Sequence, residues 1–518
     1  MDNAKPLHLR YSRWEAGGVL TFFFLLSLVM WPRMKASHFW MDECLTWALV
    51  QDPSYTHMLR ALAGGVDGSF PMYPSLAWLW TGWTGLDEVG LRSLSLACSL
   101  VFGLGWWHVC RRSFGPFAAA CAVVFYFVAC PMQQIYWVEA RPYAMMQMWM
   151  VLVLLGLGRG GWILLVGLAA LALTHLFGLA YAGWAALVRW RMAGKVEGLK
   201  AAGAVAAGAL WLPGFMSQKR MVEPHNWPSV PGFGKLWDLW GIWLPGAVLI
   251  SLVALFSVAA FWLFSGQGKL SHGSRASFFA SSREVHYLLL WAVGAGVFVF
   301  AVWFFSRQIT SLFVWRYMLP TGLGVGLLLA WICGKIAEQL IREEVWIKRL
   351  SVVIWLAGSV GLWMLRSWTY PQEAVPERSL WASLGASESS LPIVFEYPLA
   401  YLPFSHRNPD LNGQIFYLLD VEMSKMPEAS RASSVSHYLM SARRHFYPEL
   451  PGSLGVEEAM DFLSRHGSFL VVDDVRRKLW FDLRIQGKDG FQVEKVESMP
   501  GLDVYLVKKI AVIEDGAP

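Results

Sequence analysis

The chain has 518 residues, 56% of them hydrophobic and only 15% charged, with a mean hydropathy of +0.41. A soluble chain of this length carries clearly more charge, and apolar blocks of roughly 15–22 residues recur along it, so it reads as a polytopic membrane protein. The net charge of +6 comes from Lys and Arg in short loops between those blocks, which excludes a nucleic-acid-binding surface as its explanation.

Residues 1–17 are polar and basic (Lys5, Arg10, Arg13), which places them on the cytoplasmic side. The first apolar block, about 18–32, has no small-residue cleavage site and reads as a retained span. A first outer loop, 33–87, follows. It holds Asp42-Glu43 between aromatic residues, and a turn-rich stretch from Asp67 through Pro71 and Tyr73 to Pro74. Residues 41–63 alternate at roughly helical spacing, predicting one amphipathic helix on the membrane surface.

Span 2 (88–110) ends at Arg111-Arg112, and span 3 (116–133) leads to the polar patch Gln133 through Tyr143, which contains Glu139, Arg141 and Pro142. Spans 4 (143–158), 5 (161–174) and 6 (176–190) are short for a hydrocarbon core of about 30 Å, and Thr174-His175 separates the last two. Spans 7 (199–214), 8 (239–264), 9 (286–305), 10 (317–334) and 11 (350–365) complete the set. Lys219, Arg220, Glu223 and His225 lie in an outer loop, Arg307 to Arg316 form a short outer segment, and the Lys335–Arg349 run reads as a solvated helix.

About eleven spans from a cytoplasmic N-terminus put the tail outside. From Arg366 onward the composition is that of a soluble domain. The division expected is a transmembrane module over 1–366 and an extracytoplasmic α/β domain over 367–518. In that domain, strands are predicted near 391–397, 414–419 and 469–472, an amphipathic helix over 456–466, and a final hairpin across Pro500-Gly501. It has no glycine-rich nucleotide fingerprint. The six Cys imply no disulfide framework.

Asp42, Glu43, Glu139, Arg141, His175, Arg307 and Arg316 all fall on the outer side of this topology. Carboxylates can take a proton from an attacking hydroxyl. Arginines can bind phosphate through paired hydrogen bonds and stabilise charge on a leaving group. Together, at a lipid–water boundary, they suit transfer from a lipid phosphate. Each also has a plainer reading. Asp42-Glu43 suits a helix N-terminus, Arg141-Pro142 a break between helices, His175 an interhelical hydrogen bond and Arg307 an interfacial anchor.

The ordered stretches resemble the GT-C superfamily of polyprenyl-phosphate-sugar-dependent transferases. The likeness is to bacterial relatives of protein O-mannosyltransferases and of the lipid A aminoarabinose transferase (glycosyltransferase family 39-like). It rests on Asp42-Glu43, the Asp67, Pro71 and Tyr73 pattern, Arg92 with Ser95, and Glu139-Ala140-Arg141-Pro142-Tyr143. Thr174-His175-Leu176-Phe177 and the Phe313 to Pro320 stretch, with Arg316-Tyr317, add to it. The second Pro often found beside Pro71 is absent.

The resemblance covers about residues 15–365 and implies roles. Asp42 is the expected base, with Glu43 orienting the loop or sharing the acceptor; the two can be exchanged. Glu139 is a second acidic group near the acceptor. Arg141 and Arg316 would hold the donor phosphate with Tyr143, His175 or Tyr317, and Asp67 and Tyr73 belong to the acceptor loop. The implied partners are membrane lipids, a lipid-linked sugar donor and a lipid, glycan or protein acceptor, with no nucleic acid. No cofactor or metal is expected, although Asp42, Glu43, Glu139 and His175 could in principle bind a divalent ion. The setting implied is a bacterial inner (plasma) membrane, the tail being periplasmic or extracellular. The competing reading is a transporter or flippase of lipid-linked glycans, which should show mid-bilayer charges and broken spans in paired halves.

Overall fold

A computed structural model of the chain describes residues 13–36, 38–222, 230–243, 283–309, 311–340, 344–364, 391–424, 426, 431–475, 479–499 and 502–510. Most of span 8, with Lys5, Arg10, Glu223, His225 and the Pro500-Gly501 turn, lies outside them. The chain forms two compact units. The first comprises 1–37, 69–212 and 230–369; the second joins 38–68, 213–229 and 370–518.

The first unit is helical. Among the described residues, five helices are long and apolar enough to cross a membrane: Glu15–Lys35, Glu88–Phe114, Lys195–Lys219 (which runs on into the 213–229 segment), Arg283–Gln308 and Trp315–Ala337. Four shorter apolar helices, Pro116–Val128, Tyr143–Leu157, Trp162–Thr174 and Ser351–Gly361, accompany them. At 1.5 Å per residue, Tyr143–Leu157 is about 22 Å long, short of a hydrocarbon core of about 30 Å.

The core is aromatic: Trp106, Trp137, Trp291 and Trp355 are fully buried. Trp137 stacks on Phe127, with ring centroids 5.3 Å apart. Arg111, read from sequence as a basic stop, forms a buried ion pair with Glu15 at 2.6 Å, and Arg112 pairs with Glu284.

Two breaks and an additional helix shape this unit. Cys130 is extended (φ −103°, ψ 91°) because it precedes Pro131, whose ring disfavours a helical residue before it. Span 3 therefore stops there, and a separate short helix, Pro131–Tyr136, follows. His175, also extended (φ −163°, ψ 149°), separates Trp162–Thr174 from Leu176–Ala193. The outer loop holds a helix that the sequence reading lacks, Met72–Thr84. Pro74 made that stretch look like a turn. It falls in the first helical turn, however, where its missing N–H costs nothing.

In the second unit, residues 41–63 form two helices, Met41–Val50 and Tyr55–Ala63, in place of the single one expected. Pro53 disfavours a helical Asp52. Ser54 then caps the second helix by accepting from the His57 N–H.

The tail is a mixed six-stranded sheet of order β3-β2-β1-β4-β6-β5. The strands are β1 (Ile393–Phe395), β2 (Ile415–Leu419), β3 (Val456–Glu458), β4 (Ser468–Asp473), β5 (Phe491–Met499) and β6 (Leu502–Lys509). The first four are parallel; β6 runs antiparallel to β4 and pairs with β5. The helix predicted over 456–466 starts later, at Ala459. Val456–Glu458 instead forms an edge strand on β2, because Gly455 allows a close approach: a Cβ there would lie 1.9 Å from the Ile415 carbonyl oxygen. Val394, Phe416, Phe462, Phe469, Val471 and Phe481 fill the core.

Candidate functional site

Five of the residues singled out from sequence meet in the first unit. Each comes from a helix break, where side chains are released from helical packing. Arg141 follows a tight turn in which its N–H donates to the Glu139 carbonyl at 2.7 Å. Both Glu139 and Arg141 are buried. Tyr143 begins the next helix. His175 sits at its break, and Arg316 and Tyr317 lie on the single 3-10 turn Trp315–Met318.

Aromatic rings tie these pieces together. The His175 ring lies 4.7 Å from Tyr317 and 6.2 Å from Tyr143 by centroid. Tyr143 and Tyr317 stack at 6.4 Å, and the Arg316 guanidinium carbon is 5.7 Å from the Tyr317 ring centre.

The half-buried His175 is chemically defined. Its Nδ1 accepts from the Phe177 N–H at 3.1 Å, capping the following helix. In a neutral ring that leaves the proton on Nε2. Burial, and then the positive charges of Arg141 and Arg316, push its pKa from 6.5 down to about 3. The imidazole is therefore a neutral donor beside two fixed cations.

Sequence reading gave no role to three further members. Tyr136 packs on Tyr143 and on Trp315, and Phe177 packs on His175 and Tyr317. For two of them the signal was adjacency: Trp315 precedes Arg316, and Phe177 ends the Thr-His-aromatic stretch. Tyr73 lies elsewhere in this unit, its hydroxyl 3.0 Å from Ser95 Oγ. Arg92, from the same motif, donates to the Met34 carbonyl at 3.0 Å. The Tyr73–Ser95 pair joins two helices.

The second unit carries the carboxylates. Asp42 and Glu43 occupy the first turn of Met41–Val50, where helix dipoles favour negative charge. The two differ in environment. Glu43 is 1% exposed and its Oε2 accepts from the Trp40 N–H at 3.3 Å, holding the helix start. Asp42 is half-exposed. Asp67 is buried, and its carbonyl accepts from Gln218 Nε2 at 3.1 Å. Among the described residues, no group of three or more His, Cys, Asp or Glu side chains is placed to hold a metal ion.

The described residues define a helical module with membrane-length helices, carried in one chain with an α/β domain. The fold is similar to that of the lipid A aminoarabinose transferase ArnT, a GT-C enzyme, from Cupriavidus metallidurans. The apo crystal structure of that protein aligns at TM-score 0.51 and 13% identity, over 95% of this chain and 98% of the other. Its crystal structure bound to undecaprenyl phosphate aligns at TM-score 0.49 and 14% identity, over 95% and 97%. No family model and no curated protein matches the chain.

Proposed function

We propose that this chain is an integral membrane glycosyltransferase that moves a sugar from a polyprenyl-phosphate donor to a hydroxyl of a lipid, glycan or protein. The observation that carries the reading is the cluster of Arg141, Arg316 and a neutral His175 at helix breaks of the apolar unit. Two guanidinium groups and an N–H donor match the oxygens of a phosphodiester, and the tyrosine rings suit the adjoining sugar. The likeness to ArnT supports the fold that the reading requires.

In the proposed step the acceptor oxygen attacks the anomeric carbon as the bond from that carbon to phosphate breaks. The electron pair leaves with the polyprenyl phosphate, whose new negative charge Arg141 and Arg316 stabilise. Asp42, the half-exposed member of the acidic pair, is proposed to take the hydroxyl proton. In-line attack with a single carboxylate inverts the anomeric centre. About eleven spans, a cytoplasmic N-terminus, catalysis at the outer face of a bacterial inner membrane and an extracytoplasmic tail belong to the same proposal. Asp67 and Tyr73 are proposed to shape the acceptor loop, Glu139 to lie near the acceptor, and no metal is required.

The test incubates purified protein with a polyprenyl-phosphate sugar and a panel of hydroxyl acceptors, with and without EDTA. The expected result is release of polyprenyl phosphate, a glycoside of inverted configuration by NMR and indifference to EDTA. A protein that moves lipid-linked glycan across vesicle membranes without cleaving it is a flippase, and the reading then fails.

A further inference from the structure

The second unit joins the Asp42–Glu43 helix to the C-terminal domain through a buried arginine. Arg443 is 1% exposed. It lies on the helix Arg431–Phe446 of the tail. Its Nη1 donates to the Cys44 carbonyl at 3.1 Å and its Nη2 to the Pro451 carbonyl at 2.7 Å. Burying a guanidinium is costly, and here it is spent on a backbone oxygen one residue beyond Glu43.

One turn further on, the Tyr447 hydroxyl donates to Asp52 Oδ2 at 2.9 Å. The same oxygen meets His57 Nδ1, and the other Asp52 oxygen accepts from the Ser54 N–H at 2.9 Å. The His406 ring packs on Trp47 at 4.4 Å and on Phe39 at 5.3 Å, on either side of the acidic pair. Gly64, at the end of the second loop helix, lies under Phe446: a Cβ there would sit 2.2 Å from Phe446 Cε2. The tail thus grips this loop at both ends of its first helix, at the link and at the end of the second helix.

We propose that Arg443 is a positioning residue, and that the tail domain works by holding the helix Met41–Val50 so that the Asp42 carboxylate keeps a fixed pose. The inference rests on the transferase reading above, and it gives the C-terminal domain a part in the chemical step. Arg443 touches no reacting atom. It acts through the Cys44 carbonyl, and Tyr447 acts through Asp52.

The test uses full-length protein in detergent and compares Arg443→Met, Arg443→Lys and Tyr447→Phe. Hydrogen exchange is read at the amides of 41–50 and, as a control for folding, in β1, β2 and β4. Arg443→Met is expected to speed exchange at 41–50 about tenfold or more with the strands unchanged. Its kcat should fall on the order of 10²-fold, the scale of a misplaced reacting group, with the donor KM little changed. Arg443→Lys should recover part of both, and Tyr447→Phe should show a milder form of both.

Unchanged exchange at 41–50, or faster exchange with an unaltered kcat, overturns the proposal. If Arg443→Met melts the strands, Tyr447→Phe decides by the same two readouts. Asp42→Asn in the same assay separates the two claims. Should it remain fully active, the transferase mechanism is wrong, and the exchange data alone still decide whether the tail holds the helix.

Discussion

Neighbouring carboxylates can carry different tasks when one turn of helix gives them different surroundings. Glu43 accepts the Trp40 N–H and is buried, while Asp42 is half-exposed. The plain reading of the pair, a charge at a helix N-terminus, describes Glu43 well. His175 shows the same economy, its Nδ1 capping a helix while burial, and then two arginines, keep the ring neutral. Its pKa lies below the 6.5 of the unfolded chain, so folding disfavours its protonation. The stability tied to the neutral ring is full above pH 6.5 and is lost as pH falls toward about 3. Thermal midpoints of wild type and His175→Gln, measured from pH 7 down to 4.5, should diverge, with the wild type losing several degrees more. Residue types and motif order made Arg141, Tyr143, His175, Arg316 and Tyr317 legible in the sequence. Tyr136 was not, because one more aromatic in so aromatic a chain has no pattern of its own.

Proline governed which elements were legible. Pro131 and Pro53 end helices that hydropathy alone runs together, whereas Pro74 opens one. Apolar length marked helices of the first unit, five of them long enough to cross a membrane among the described residues, and continuous apolar runs marked β1, β2 and β4. The three-residue β3 escaped notice because Glu457 and Glu458 are helix formers and pairing with β2 overrides that preference. The ends of the central strands carry a titrating pair. Burial, then the neighbouring Asp473 and its hydrogen bond, raise Glu396 well above the usual carboxylate range. Burial, with Asp482, Asp474 and Asp503 nearby, raises Asp473 to about 6, although its hydrogen bond to Glu396 opposes the rise. Nearby, Lys495 is held by Asp503. Both folded values exceed those of the unfolded chain. The stability they lend is thus full below about pH 4 and lost as pH rises through 6 and beyond. Resistance of the tail to proteolysis should fall between pH 4.5 and 8, and Glu396→Gln should flatten that fall.

At the scale of the whole molecule, composition alone separates a strongly apolar stretch from a polar tail. The fold shared with ArnT agrees with what the ordered motifs implied. The grouping of 38–68 with 370–518 was not legible. Arg443, Tyr447, His406 and Phe446 contribute to it, and a buried arginine on a polar helix looks the same in sequence as a solvated one. In the proposed mechanism Asp42 removes the acceptor proton while the arginine cluster holds the donor phosphate. That mechanism is tested most directly by single-turnover cleavage of a polyprenyl-phosphate sugar by wild type, Asp42→Asn and Glu43→Gln, with donor binding measured alongside. Asp42→Asn should slow cleavage about 10²–10⁴-fold with donor affinity intact, and Glu43→Gln should cost far less in rate. Asp42→Asn cleaving at the wild-type rate, or Glu43→Gln proving the slower of the two, would contradict it.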